Sequence, residues 1–102
     1  MSYCLTERDF NQQICDLARL LGWEVNRTWL SIHSPAGFPD LVLIRENDDN
    51  TASLIFAELK AERGKLTEHQ AKWLALLSKV PNIGVYVWYP QDFDRIALIL
   101  QG

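Results

Sequence analysis

Apolar residues recur at helical spacing along the first fifth of the chain. Phe10, Ile14, Leu17, Ala18 and Leu21 share one face of a 3.6-residue repeat. Thr6-Glu7-Arg8-Asp9 precedes them as an N-cap followed by acidic first-turn residues, and Gly22 stands where a helix stops. The spacing predicts a helix over about 7–21. The period then changes. Trp23-Glu24-Val25-Asn26-Arg27-Thr28-Trp29-Leu30 alternates between large apolar and polar residues, as a half-buried strand does. A loop over 31–37 leads into Pro39-Asp40, and Pro39, with no N–H, suits the start of a strand rather than its middle. Leu41-Val42-Leu43-Ile44 and Leu54-Ile55-Phe56-Ala57 are short, apolar and partly β-branched. The turn formers of Arg45-Glu46-Asn47-Asp48-Asp49-Asn50-Thr51 lie between them, so a hairpin is predicted. Thr67-Glu68-His69-Gln70 reads as a capping box that opens a helix through Trp73, Leu74, Leu76, Leu77 and Val80, ending before Pro81-Asn82. Gly84-Val85-Tyr86-Val87-Trp88-Tyr89 reads as another strand. Pro90-Gln91-Asp92-Phe93-Asp94 opens a short terminal element, expected to be helical, with Ile96, Leu98, Ile99 and Leu100 apolar.

The order is helix, three strands, helix, strand and a short terminal element. Three consecutive strands can form a meander, and the second helix can carry the chain back to the sheet. The expected class is α/β, with a mixed sheet of about four strands. A length of 102 residues suits one domain, residues 1–102, with a single core. No repeat, low-complexity tract or linker interrupts it.

Composition narrows the function classes. Hydrophobic residues at 48% and charged residues at 23% are ordinary for a globular protein, and no apolar run approaches the roughly 20 residues of a membrane span. The first residues lack the basic-then-apolar form of a secretion signal. Cys4 and Cys15 have no metal-type spacing, so reduced thiols in a cytosolic protein are expected. The formal net charge of −3 excludes a bulk polycation that coats nucleic acid. Charge is nevertheless uneven. Between Lys60 and Lys79 stand five basic residues (Lys60, Arg63, Lys65, Lys72, Lys79) and two acidic ones (Glu62, Glu68), a local +3 that leaves −6 for the rest. A basic loop and helix after an acidic strand end suit a phosphate backbone, although a solvated amphipathic helix has the same composition.

The candidate chemistry sits at the ends of the hairpin strands. Side chains at i and i+2 share a face, so Glu58 and Lys60 point one way and Leu59 the other. In an antiparallel pair the start of one strand lies beside the end of the next, which brings Asp40 towards Glu58. Two carboxylates and an ammonium meeting there make a hard-cation site with a base or charge stabiliser beside it. A lone Asp and a lone E-x-K also occur as ordinary strand-end charges, so the motif alone does not decide. Glu7 also reads as a helix-dipole partner, Cys15 as packing, and His33 as a solvated loop histidine.

The ordered set does more. Glu7 near the start of the first helix, Gly22-Trp23, Gly37-Phe38-Pro39-Asp40, Glu58-Leu59-Lys60, Gly64-Lys65-Leu66-Thr67 and Gln70-x-x-Trp73 occur in one order over nearly the whole chain. Together they resemble the stand-alone VRR-NUC (virus-type replication-repair nuclease) domain. That is a branch of the PD-(D/E)xK nuclease superfamily, whose small members are similar to proteins carried by phages and prophages. The resemblance implies a restriction-endonuclease-like PD-(D/E)xK core and a cytoplasmic nuclease of a bacterial cell. It implies Mg²⁺ as the cofactor, with Mn²⁺ as a substitute. Asp40 matches the metal-binding aspartate of the family's G-x-P-D motif, and Glu58 and Lys60 match the ligand and lysine of its E-x-K. The Leu59 carbonyl would also face the metal, and Gln70 matches a glutamine on the following helix. Glu7 is the best match to the acidic residue of the first helix; related resolvases place a glutamate nearer the helix middle, where this chain has Gln12 and Gln13. Arg63, Lys65 and Lys72 would contact phosphates. The implied substrate is branched DNA, a four-way junction or a flap, and a chain with one site would cut two strands as a homodimer, with some of Trp23, Trp29, Trp73 and Trp88 at its interface.

Overall fold

The computed structural model describes residues 6–28 and 36–102. The elements run α1 (Glu7–Leu20), β1 (Glu24–Arg27), β2 (Leu41–Glu46), β3 (Ala52–Leu59), α2 (Glu68–Leu77), β4 (Gly84–Trp88), a 3-10 turn (Pro90–Asp92) and α3 (Phe93–Gln101). The sheet order is β1-β2-β3-β4. The first three strands form an antiparallel meander, and β4 pairs parallel to β3 after the crossover through α2. The expected α/β class, mixed sheet and element order are those observed. His33, Trp29, Cys4 and the far end of the strand expected to reach Leu30 lie outside the described residues.

Local chemistry sets the boundaries. Thr6 Oγ1 accepts from Asp9 N at 3.0 Å and caps α1. The helix ends on Gly22 at φ +92°, with Gly22 N bonded to Arg19 O and Trp23 N to Ala18 O, the paired carbonyl closure that a left-handed glycine permits. The β2–β3 hairpin is tighter than expected. Its strands extend to Glu46 and from Ala52, because Asn47 N reaches Thr51 O at 2.7 Å and Asn50 takes φ +67°. An asparagine tolerates that left-handed turn position. Helix α2 stops at Leu77, three residues before Val80, where Ser78 Oγ turns back onto Leu74 O.

The two sheet faces differ. Leu41, Leu43, Ile55, Ala57, Leu59 and Trp88 point to the face covered by α1 and α3. There they pack with Phe10, Ile14, Cys15, Ala18, Ile96 and Leu100. Trp23 closes this core, donating Nε1 to Leu100 O at 2.9 Å, with Arg45 over its ring. Trp23 and Trp88 are therefore core residues and leave no ring for an interface. The opposite face carries Phe56 and Glu58 beneath α2. Phe38 links the two, meeting Trp73 edge-on at 5.1 Å and Phe56 at 6.1 Å. Helices α1 and α2 thus cover opposite faces of the sheet, whose two central strands share one end, where β2 begins and β3 finishes. Among the described residues no helix is long and apolar enough to cross a membrane.

Candidate active site

The strand pairing ends with Leu41 opposite Ala57, so one step beyond it Asp40 faces Glu58. Asp40 Oδ2 accepts from Leu59 N at 2.8 Å, which fixes the carboxylate against the end of β3. The backbone holds Asp40 from the other side as well: Thr28 N donates to Asp40 O at 2.8 Å, and Thr28 Oγ1 donates to Pro39 O. Pro39 is fully buried.

Glu58 is only 2% exposed. Its Oε2 accepts from Gln70 Nε2 at 2.9 Å and lies 3.9 Å from Lys60 Nζ. Its Oε1 is buried and meets no N–H donor; the neighbour that the Glu58 carboxyl can share a proton with is the Asp40 carboxyl. Burial pushes the Glu58 carboxyl up to about 8, and the neighbouring Asp40 carboxyl adds to the shift; the Lys60 ammonium opposes it, and Glu7 raises it further. Lys60, 9% exposed, is clamped by its own loop. Its N donates to Trp88 O, and its stem packs so close to Gly64 that a Cβ there would lie 3.1 Å from Lys60 Cδ. Tyr89 Oη holds the same loop through Gly64 O.

Gln70 arrives from α2 and serves two ends at once. Its Oε1 accepts from Thr67 N and its backbone N donates to Thr67 Oγ1, completing the capping box, while Nε2 reaches Glu58. Gly37 makes this approach possible. It sits at φ +83°, and a Cβ on it would lie 2.4 Å from the His69 carbonyl carbon and 2.6 Å from Gln70 N. The glycine of G-F-P-D is thus the seat for the N-terminus of α2.

On the α1 side an open cleft of about 530 Å³ is lined by Glu7, Arg8, Asp9, Asn11, Gln12, Arg27, Asp40 and Leu59. Glu7 therefore lies across the cleft from Asp40. Among the described residues no group of three or more His, Cys, Asp or Glu side chains closes into a metal cluster. The remaining chemistry fits a hard divalent cation. The donors are all oxygen, and two carboxyls stand so close at one strand end that each disfavours the other's charge. Arg63, Lys65 and Lys72 are exposed, on the loop after β3 and on α2. Sequence reading missed Arg27. Its signal was an arginine at the core-facing phase of the alternating Trp23-Val25-Arg27 strand.

A four-stranded mixed sheet with an aspartate opening β2 and Glu-Leu-Lys closing β3 beside it is the core of a PD-(D/E)xK nuclease. The family model for the VRR-NUC domain matches residues 3–91 of the 102-residue chain, and the chain belongs to that family. It is thus a nuclease domain with DNA as substrate, in a superfamily that generally uses divalent metals. Comparison with curated proteins and with solved structures gives no match.

Proposed function

We propose that the chain is a Mg²⁺-dependent, structure-specific endodeoxyribonuclease of the bacterial cytoplasm that hydrolyses phosphodiester bonds in branched DNA, resolving four-way junctions as a homodimer. The observation that carries the metal dependence is the buried Glu58 carboxyl held against the Asp40 carboxyl at one strand end, where a divalent cation would take the place of the proton that keeps the pair from carrying two charges. Two carboxyls side by side in a buried site disfavour the second negative charge, and a bound hard cation removes that cost.

Asp40, Glu58 and the Leu59 carbonyl would hold the cation, with Glu7 approaching from the α1 side of the cleft. When bound, Mg²⁺ neutralises charge on the scissile phosphate and activates a water for attack. The chain's own residues set the geometry. Lys60, anchored by the Gly64 loop and 3.9 Å from Glu58, has ammonium donors left to orient a water or a phosphate oxygen. Gln70 fixes the Glu58 carboxylate from α2. Arg63, Lys65 and Lys72 would track the phosphates beyond the site. One site per chain and two strands to cut at a junction favour a C2 pair.

The test is incubation with four-way junction, flap, single-stranded and linear duplex DNA in Mg²⁺, Mn²⁺ or EDTA. Metal-dependent paired incision of the junction is expected. Preference for flaps would change the substrate, and binding without cutting in either metal would make the chain a DNA-binding module.

A further inference from the structure

Arg27 ends β1 and stands opposite Leu41, so its side chain leaves the sheet on the face that α1 covers. It is half-buried. Its Nε donates to Cys15 Sγ at 3.2 Å and its Nη2 donates to Gln12 Oε1 at 2.6 Å. Both partners are neutral, and both belong to α1. Cys15 in turn donates to Asn11 Oδ1, so the support is a chain of side chains rooted in the helix. Among the described residues the guanidinium forms no ion pair; the pairs are Arg19 with Asp16 and Lys60 with Glu58.

A half-buried cation held by neutral groups is an incomplete arrangement. Removing charge from water is offset only by an opposite charge or a full set of hydrogen bonds. A guanidinium has five N–H donors, of which these contacts engage two. The cleft it lines is also lined by Asp40 and Leu59. Thr28, the next residue along the chain, donates its backbone N–H to Asp40 O. The guanidinium and the Asp40 carboxylate therefore share one strand end. The cleft already contains acids in Glu7, Asp9 and Asp40, and Arg8 and Arg27 are its cations. A polyanion entering here needs a fixed positive group, and a planar fork matches a phosphate better than a lysine ammonium does.

We infer that Arg27 binds a backbone phosphate of the strand being cut, next to the scissile one, and that Gln12 and Cys15 are positioning residues that set its guanidinium plane. This rests on the nuclease reading above and extends it. The cut strand is gripped on the α1 side of the site, away from the Arg63–Lys72 segment on the α2 side.

The experiment measures binding of the full chain in EDTA to branched oligonucleotides carrying one uncharged methylphosphonate at successive positions, alongside cleavage of the unmodified DNA in Mg²⁺. Wild type should lose affinity at a position beside the cleavage site. Arg27→Met should bind unmodified DNA about tenfold more weakly, lower the salt slope by about one unit, and show no further loss at that position. Arg27→Lys should recover part of the affinity and the salt slope without the positional sensitivity. Should Arg27→Met fail to fold, Gln12→Ala, at an exposed helix position, reads the same site and should blunt the same methylphosphonate effect. Wild-type DNA binding and cleavage together with unchanged salt slope and positional profile in these variants would overturn the inference and leave the nuclease reading intact. Absence of both DNA binding and cleavage in wild type would overturn both.

Discussion

Gln70 Nε2 donates to Glu58 Oε2 at 2.9 Å while Oε1 of the same amide accepts from Thr67 N at 2.9 Å. One side chain therefore closes a helix cap with its acceptor end and holds a buried carboxylate with its donor end. Glutamate at this position keeps the acceptor but turns the other end into a second acceptor aimed at Glu58. Gln70→Glu is expected to lower the melting temperature in EDTA at pH 9, where Glu58 is ionised, and to cut the cleavage rate about tenfold or more. Gln70→Ala loses the bond to Glu58 and the reciprocal bond from Thr67 N, while Thr67 Oγ1 still caps the backbone N of residue 70, so the cost of the lost cap bond is about 1 kcal/mol. Thermal melts and cleavage rates check both, and a Gln70→Glu protein as stable and active as wild type would remove this coupling.

Glu58 gives a pH dependence with a definite sign. Its carboxyl titrates near 4.5 in the unfolded chain and about 8 in the folded one, chiefly through burial and Asp40. Between those values the folded state binds more protons, so stability falls as pH rises through the interval. In EDTA, the urea unfolding free energy should decline from pH 5 to pH 8 by on the order of 2 kcal/mol, less than the full shift because solvent relaxes around the charge. Glu58→Gln should flatten that decline. It should also abolish cleavage, as should Asp40→Asn. Mg²⁺ should raise the melting temperature of wild type more at pH 8 than at pH 6, since the cation competes with the proton, and should do nothing for Glu58→Gln. A pH-independent wild-type stability would contradict the buried-carboxylate account.

Gly37→Ala tests the seat of α2. The new Cβ would stand 2.4 Å from the His69 carbonyl carbon, and the backbone would keep a φ of +83°. Neither strain has a flexible side chain to absorb it. A loss of about 2 kcal/mol or more is expected, with a fall in cleavage as the N-terminus of α2 carries Gln70 away from Glu58. Melting and cleavage measured together decide it; loss of stability with full activity would show that the helix can retreat without disturbing Glu58.

The fold was legible in the sequence because its signals were local. The Phe10-to-Leu21 periodicity, the Thr67–Gln70 cap and the two apolar runs flanking Asn47–Asn50 each predict their own element, and the sheet order follows because consecutive strands are neighbours. The convergence of Asp40 with Glu58 was legible for the same reason, as hairpin register is set between neighbours in sequence. Contacts set by packing between distant segments were not. Gly37 reads as a turn glycine, and only the arrival of α2 makes it a steric requirement. Arg27 has the inward phase of Trp23 and Val25 in the sequence, but only α1, laid across it with Gln12 and Cys15, shows what its guanidinium meets there. The same register that exposes the acidic pair says nothing about the cleft wall, which comes from a helix folded back from earlier in the chain.

The basic segment is expected to act without regard to DNA shape. Arg63, Lys65 and Lys72 are exposed and lie beyond the acidic pair. Alanine at each should weaken binding to junction, flap and duplex alike and reduce the salt slope by about one unit per lost contact. A changed shape preference at constant slope would assign these residues to recognition of the branch instead.

The proposed dimer rests on counting sites. A junction presents two symmetric strands, and the chain offers one Asp40–Glu58–Lys60 set. A monomer would release a nicked junction between cuts, whereas a self-complementary pair keeps the second site at high effective concentration after the first incision. The burial of Trp23 and Trp88 removes two tryptophans from any interface, so the proposed pair would use other surface. Sedimentation equilibrium without DNA should give about twice the 11.8 kDa chain mass. Mixing wild type with Asp40→Asn should then produce heterodimers that nick one strand only. A monomer at tens of micromolar that still makes paired incisions would refute a preformed dimer, and a monomer that leaves single nicks would direct the activity to flaps.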